Sequence, residues 1–424
     1  MSTASKQTLS TADLAWLRVQ SPENPAATTI GMFSPKPLDE ACLKSRIEDR
    51  LLAQPRFRQR IESPYMSWAR PRWIEHDEFQ LADHFIRIDL RDATGSEELD
   101  GLLSELRSQP LEDTLPLWQV HLVRMADGGS ALILRVHAAV ADAKSALDRP
   151  LQLTDEADQP AHPTTAHGLE HVIPPHKIPA ATDRGTSSTR ALCRLISSRS
   201  DRENPLRRQP TGAKSLAWSE PVNLEILDKQ ATRCKASPTE VLITGITGAM
   251  RTAIHSKDVP TEDVGLRAVV PLSLRAGERP AVGTRMALGL LRLPLSGSTP
   301  GDRLTGVQAS IERLQLAAKQ MAVLGPDARQ GLSMTEFEER SLRLLGKKAT
   351  VALALADGPA KTVTLCDQPV THLLWWPNEL GEISLGISIL GYAGTARFCV
   401  TSDDSLELDT HTLAADMTDA CGAI

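Results

Sequence analysis

Aromatic residues are scarce in this 424-residue chain, at 4% of positions, so its cores must be mainly aliphatic; a hydrophobic content of 41% supplies enough Leu, Ile, Val and Ala to build them. Long apolar runs are missing too. No stretch approaches the roughly 18 residues needed to span a bilayer, and Met1–Ser10 is polar with no signal-like apolar segment. The chain is therefore expected to be cytoplasmic, with peripheral contact to a membrane or lipid body left open. The cysteines, Cys42, Cys193, Cys234, Cys366, Cys399 and Cys421, stand far apart, which excludes a Cys-x-x-Cys redox pair or a cysteine zinc site; free thiols are expected. No Gly-x-Gly-x-x-Gly or phosphate loop occurs, and Ser145 and Ser273 lack the Gly-x-Ser-x-Gly setting of a serine hydrolase. Cationic excess is absent as well: the net charge is −6, which argues against nucleic acid as a partner.

What is present reads as alternating helices and hairpins. Ser10–Gln20 has a capping serine and an apolar face, and Glu97–Arg107 and Asp302–Met321 are amphipathic. Two apolar runs, Gln119–Met125 and Ser130–His137, flank Ala126-Asp127-Gly128-Gly129 as a hairpin. In the second half, Leu224–Lys235 and Thr239–His255 are helical, Leu266–Leu272, Met286–Leu295, Ile383–Leu390 and Ala396–Thr401 are strands, and a closing helix starts near Asp409. Between the halves lies a stretch rich in proline and then in arginine. The expected organisation is a first lobe over 1–150, a linker over 151–212 and a second lobe over 213–424. Without a steady strand–helix alternation, the expected fold class is α/β (α+β) with mixed or antiparallel sheets.

The segment Pro116-Leu117-Trp118, the hairpin, and then His137-Ala138-Ala139-Val140-Ala141-Asp142-Ala143 resembles the wax ester synthase/diacylglycerol acyltransferase family, whose pattern is Pro-Leu-Trp followed about twenty residues later by His-His-x-x-x-Asp-Gly. Further stretches in the same order carry the likeness over most of the chain, among them Val270-Pro271-Leu272-Ser273-Leu274-Arg275 and Gly283 to Leu295. The resemblance implies a two-lobed chloramphenicol-acetyltransferase-like fold with a cleft at the lobe interface. It implies transfer of an acyl group from acyl-CoA to a long-chain alcohol or diacylglycerol, with no resident cofactor or metal. The motif's second histidine would be the general base, a task that suits a neutral imidazole. Its aspartate would be a structural residue paired with an arginine; Arg275 is the first candidate and Arg267 another.

This chain departs from that pattern where the chemistry lies. Ala138 occupies the position of the base, Ala143 replaces the glycine, and Gly283-Thr284-Arg285-Met286-Ala287 replaces the family's Gly-Asn-x-x-Ser. A methyl group accepts no proton. His137 matches the first histidine, and consecutive residues at a strand end point to opposite faces. The expectation is an impaired or inactive family member in which His137 is a hydrogen-bonded histidine holding the strand end; the alternative is an active acyltransferase with His137 as base. An acyl-CoA or lipid ligand is compatible with both.

Other motifs read more blandly. His167-Gly168-Leu169-Glu170-His171 has a zinc-protease spacing, but Gly168 and Pro174-Pro175 break the helix such a site needs. The arginines from Arg184 to Arg208 are interrupted by Asp201 and Glu203 and read as a solvated face. Trp375-Trp376 reads as packing at a lobe edge.

Overall fold

The computed structural model describes residues 7–63, 70–90, 96–157, 201, 204–261, 264–272, 287–322 and 342–424. The first half contains α1 (Thr11–Val19), β1 (Ala27–Ser34), α2 (Glu40–Arg46), β2 (Phe85–Asp89), α3 (Ser96–Ser108), β3 (Trp118–Arg124), β4 (Ser130–His137) and α4 (Ala143–Leu151). The second contains β5 (Lys214–Trp218), α5 (Leu224–Arg233), α6 (Pro238–His255), β6 (Leu266–Leu272), β7 (Ala287–Leu293), α7 (Pro300–Ala322), β8 (Val351–Asp357), β9 (His372–Trp376), β10 (Leu385–Tyr392), β11 (Thr395–Asp403) and α8 (Thr410–Gly422).

Local chemistry sets many of these boundaries. The Ser10 hydroxyl accepts from the Asp13 amide at 3.1 Å and starts α1. Ser237 and Glu240 form a reciprocal capping box at the head of α6, with Pro238 in the first turn. The β10–β11 connection puts Ala393 and Gly394 at φ 48° and 78°, the left-handed pair that a tight hairpin requires.

Two sheets result. The first has the order β9-β1-β4-β3-β2, antiparallel except where β2 runs parallel to β3. The second has the order β7-β6-β8-β10-β11-β5, with parallel pairing at β6/β8 and β8/β10. The class is thus α/β with mixed sheets. In the first sheet, Val120, Leu122, Leu132, Leu134 and Val136 face a core shared with α1, α2 and α4. Val123, Ala131 and Ile133 face Leu99, Leu103 and Leu106 of α3. The second lobe buries α5, α6, α7 and α8 against its sheet in a separate aliphatic core.

Three features differ from the sequence-based expectation. First, the second half is not confined to the second lobe: β9 crosses over and pairs with β1, from His372↔Phe33 to Trp376↔Thr29. Trp375 and Trp376 are fully buried there, and the Trp376 indole donates to the Ala217 carbonyl at 3.2 Å. Second, the end of the supposed linker belongs to the second lobe. Leu206 lies in its core, and the Asp201 carboxylate accepts from the Arg267 amide at 2.8 Å and pairs with Arg267 Nε at 3.0 Å. Third, the expectation of free thiols is corrected for one pair: Cys42 and Cys366 form a disulfide with a Cα–Cα distance of 6.1 Å. A separation of 324 residues hid their proximity, which arises because α2 packs beside the hairpin formed by Thr364–Leu365 and Gln368–Pro369. Cys234, Cys399 and Cys421 are free thiols.

Candidate functional site

The site is built on the end of β4. There the Pro116-Leu117-Trp118 segment enters β3 alongside it, and the Leu117 carbonyl accepts from the His137 amide at 3.1 Å. Pro116, Leu117 and Trp118 are all buried. The Trp118 indole donates to the Phe57 carbonyl at 2.8 Å and stacks on His84 with ring centroids 4.5 Å apart. These contacts hold the start of β3 against its neighbours.

His137 is the last residue of β4 and is buried. Its Nδ1 accepts from the Ala139 amide at 3.0 Å, which fixes the tautomer, since that nitrogen must carry the lone pair. Nε2 therefore bears the proton and donates to Gln20 Oε1 at 2.8 Å. Both ring nitrogens are engaged. Complete burial lowers the imidazole pKa to about 4, so the ring is neutral at physiological pH. Neutrality is what a base needs, but the free lone pair is missing.

Ala138 turns the other way. Its amide donates to the Ala26 carbonyl at 2.7 Å, and its methyl is 1% exposed. It belongs to an apolar cluster across the lobe interface, with Trp16 and Ala26 from the first lobe and Val269, Leu345, Ala349, Leu380 and Ile383 from the second half. Polar links flank the cluster. Asn24 Nδ2 donates to the carbonyls of Gly381 at 2.7 Å and Ile383 at 3.1 Å. Arg107 donates to the Ala27 carbonyl at 2.8 Å and forms a wholly buried ion pair with Glu379. The lobes are thus fastened together around Ala138.

Asp142 caps α4: Oδ1 accepts from the Ser145 amide at 2.8 Å. Its charge is also felt by Arg149 in the same helix. Of its two candidate arginines, Arg267 pairs with Asp201 instead, and Arg275 lies outside the described residues. Ala143 is the first residue of α4 and is not in the left-handed region, so no glycine is required there. Outside the described residues also lie His167–His171, Arg184–Arg199 and Gly283–Met286. Among the described residues no group of His, Cys, Asp and Glu is arranged to hold a metal ion. Two open cavities, of about 670 and 270 Å³, lie on the second lobe, and neither is lined by His137 or Ala138.

Sequence reasoning missed Gln20 as the partner of His137 and missed the residues that enclose Ala138. Gln20 ends α1, and nothing in its local pattern points to a contact with position 137.

Comparison with known proteins settles the family. Residues 9–198 match the wax ester synthase/diacylglycerol acyltransferase catalytic domain, and residues 282–424 match the WS/DGAT C-terminal domain. The chain belongs to the wax ester synthase/diacylglycerol acyltransferase family. It is 23% identical over 445 residues to a protein named probable diacylglycerol O-acyltransferase from Mycobacterium tuberculosis, covering 97% of this chain and 94% of that protein. The wax ester synthase/diacylglycerol acyltransferase of Marinobacter aquaeolei has the same fold, with a TM-score of 0.72, 16% identity and 98% of each chain covered. The first condensation domain of the calcium-dependent antibiotic synthetase matches with a TM-score of 0.62 at 15% identity, covering 98% of this chain and 95% of that one. These structures establish the two-lobed acyltransferase-like architecture. Among the described residues no helix is long and apolar enough to cross a membrane.

Proposed function

We propose that this chain is a catalytically impaired or inactive member of its acyltransferase family, one that meets acyl-CoA or a lipid without transferring the acyl group. The observation that carries this reading is the pairing of Ala138, at the position that the resemblance assigns to the general base, with a His137 ring whose two nitrogens are both engaged. An alcohol attacking a thioester must lose its proton, and general base catalysis contributes about 10²–10⁴-fold to such a step. Neither residue supplies an acceptor. The apolar cluster around Ala138 supports the same conclusion, because it leaves that position packed rather than open. The reading also places the protein in the cytoplasm, with any membrane or lipid-body contact peripheral and with no metal or resident cofactor.

The test is acyl transfer from long-chain acyl-CoA to a long-chain alcohol or diacylglycerol, run on the native chain and on His137→Ala. Trace turnover by both is expected. Native turnover on the order of 1 s⁻¹ would refute the proposal. Native activity abolished by His137→Ala, with the fold intact, would make His137 the working base.

A further inference from the structure

The second half of the chain reaches the first sheet through β9, and both ends of the β1–β9 ladder are closed. Beyond Trp376↔Thr29, Arg107 donates to the Ala27 carbonyl and pairs with the buried Glu379. Beyond His372↔Phe33, the Thr371 amide donates to the Phe33 carbonyl at 2.8 Å, and past that bond stands the Cys42–Cys366 disulfide. Cys42 lies in α2, which follows β1, and Cys366 lies in the hairpin that precedes β9. The sulfur bond therefore ties together the two segments that flank this end of the strand pair.

Cys366 and Asp367 form the two-residue turn between Thr364–Leu365 and Gln368–Pro369, with φ of 50° and 61°. Such a turn favours Asn, Asp and Gly, which tolerate the left-handed region. Asp367 fits that preference and Cys366 does not, so the sulfur rather than the backbone accounts for a cysteine there. The hairpin has anchors other than the disulfide. The Thr364 amide and hydroxyl donate to the Glu156 carboxylate at 3.0 and 2.8 Å, and the Asp367 amide donates to Asp155 Oδ2 at 3.0 Å. The Tyr392 hydroxyl accepts from the Val363 amide at 3.0 Å and donates to the Val370 carbonyl at 2.7 Å. Val363, Leu365 and Val370 are buried in the first-lobe core. The fold around the sulfurs is thus held with or without the bond between them.

The two sulfurs differ in access: Cys42 is half-buried, whereas Cys366 is 5% exposed. Burial pushes the thiols of the free Cys399 and Cys421 up to about 12, so neither offers a thiolate that would compete for the pair. We infer that Cys42 and Cys366 form a reversible redox clasp that sets how tightly β9 is held on β1, opened by a thiol or dithiol and closed by a disulfide of the same class. In opening, a thiolate of the reductant attacks the Cys42 sulfur, and the protein S–S bond breaks with Cys366 leaving as a thiolate. A second reductant thiolate then attacks the reductant sulfur of the mixed disulfide and releases Cys42. Two reductant thiols become one disulfide, and the protons they lose end on Cys42 and Cys366. Closing is the reverse. A bond across 324 residues restricts the chain chiefly when it opens, so its loss shows as easier opening of β9 rather than as a changed fold. The clasp is independent of whether the chain transfers acyl groups.

The experiment equilibrates the full native chain in glutathione buffers from reduced to oxidised, and in dithiothreitol. Mass after alkylation reads the thiols, and hydrogen exchange reads the peptide 371–376 against α6 as a remote control. The two forms should interconvert reversibly with the same circular dichroism. Exchange in 371–376 should be about tenfold or more faster in the reduced form, with α6 unchanged. Cys42→Ser should exchange at the reduced-form rate in every buffer; the native chain compared in its two forms tests the clasp without the variant. Four outcomes overturn the inference: a pair that never oxidises, glutathione on Cys42 with no internal bond, a bond that persists in excess dithiothreitol while the chain is folded, or equal exchange in 371–376 in both forms.

Discussion

Ala138→His puts the family's base back where the resemblance places it, and the structure says what that change would meet. The Ala138 methyl is 1% exposed and packed among Trp16, Ala26, Val269, Leu345, Ala349, Leu380 and Ile383. An imidazole ring has no room there unless these side chains move, and overpacking of this kind costs about 1–3 kcal/mol. The ring would also bring two polar nitrogens into an aliphatic cluster, and leaving such a group without a partner costs a further ~1–3 kcal/mol. The expected destabilisation is therefore about 2–6 kcal/mol, seen as a thermal midpoint lower by about 3 °C or more. Acyl transfer should rise by less than about tenfold over the native chain, far short of the 10²–10⁴-fold that a working base contributes. Thermal unfolding by circular dichroism and a thiol-release assay with long-chain acyl-CoA measure the two quantities. A variant with the native midpoint and a gain of about a hundredfold or more would refute the reasoning, because it would mean that the cluster opens to substrate and that the missing imidazole is the sole defect.

Other consequences follow from single interactions. His137 is neutral in the fold with its pKa lowered to about 4, so below the ordinary pKa of about 6.5 the unfolded chain binds the proton that the folded chain refuses; stability should fall by up to about 3 kcal/mol as pH drops from 7 to 4, and urea midpoints of His137→Gln should lack that part of the slope. Asp403 is buried against Lys214 at 3.2 Å and accepts from the amides of Thr211 and Gly212; Asp403→Asn should cost about 3–5 kcal/mol in urea unfolding. Burial raises the Asp403 pKa, but the bonds from Ser405 and Thr211 and the Lys214 charge outweigh it and lower it overall, so this contribution is present above about pH 4 and is lost as pH falls further. Cys42→Ser should remove about 2–5 kcal/mol under oxidising conditions and nothing under reducing ones, and an intact mass unchanged by reductant would show that the Cys42–Cys366 bond is absent.

What could be read in the sequence follows the range of the interactions involved. The β3–β4 hairpin was legible because its two apolar runs and Gly128-Gly129 turn are contiguous, and that hairpin alone brings Leu117 beside His137. The capped helices were legible for the same reason. β9 was not, because its five residues are covered on both faces and their pairing with β1 spans some 340 residues; only tertiary context makes Trp375 and Trp376 strand residues rather than edge packing. The disulfide was hidden by an equally long separation. α4 was obscured by Pro150 and by the proline-rich stretch beyond it, although Asp142 with Ser145 three residues on carries a capping signal that reading Asp142 as an ion-pair residue passed over.

If position 138 is the base position, as the proposed reading has it, alanine there and the retention of His137 are physically separable. His137 closes β4 through three bonds: its amide to Leu117, its Nδ1 from Ala139 and its Nε2 to Gln20. Removing it would leave the buried Ala139 amide in want of a partner, at about 1–3 kcal/mol. Position 138 carries no such load through its side chain, since its amide bond to Ala26 survives any substitution but proline. A histidine there would need a hydrated or substrate-filled cleft to satisfy its ring, and such a cleft would expose the apolar faces of Trp16, Leu345 and Leu380 to water at about 25 cal/mol per Å². With a methyl in its place, those faces meet, and the ion pair of Arg107 with Glu379 and the two bonds from Asn24 fasten the lobes on either side. On the reading proposed above, closing the interface and losing the base favour one another, whereas His137 is held by demands of the strand end that remain whether or not any acyl group is transferred.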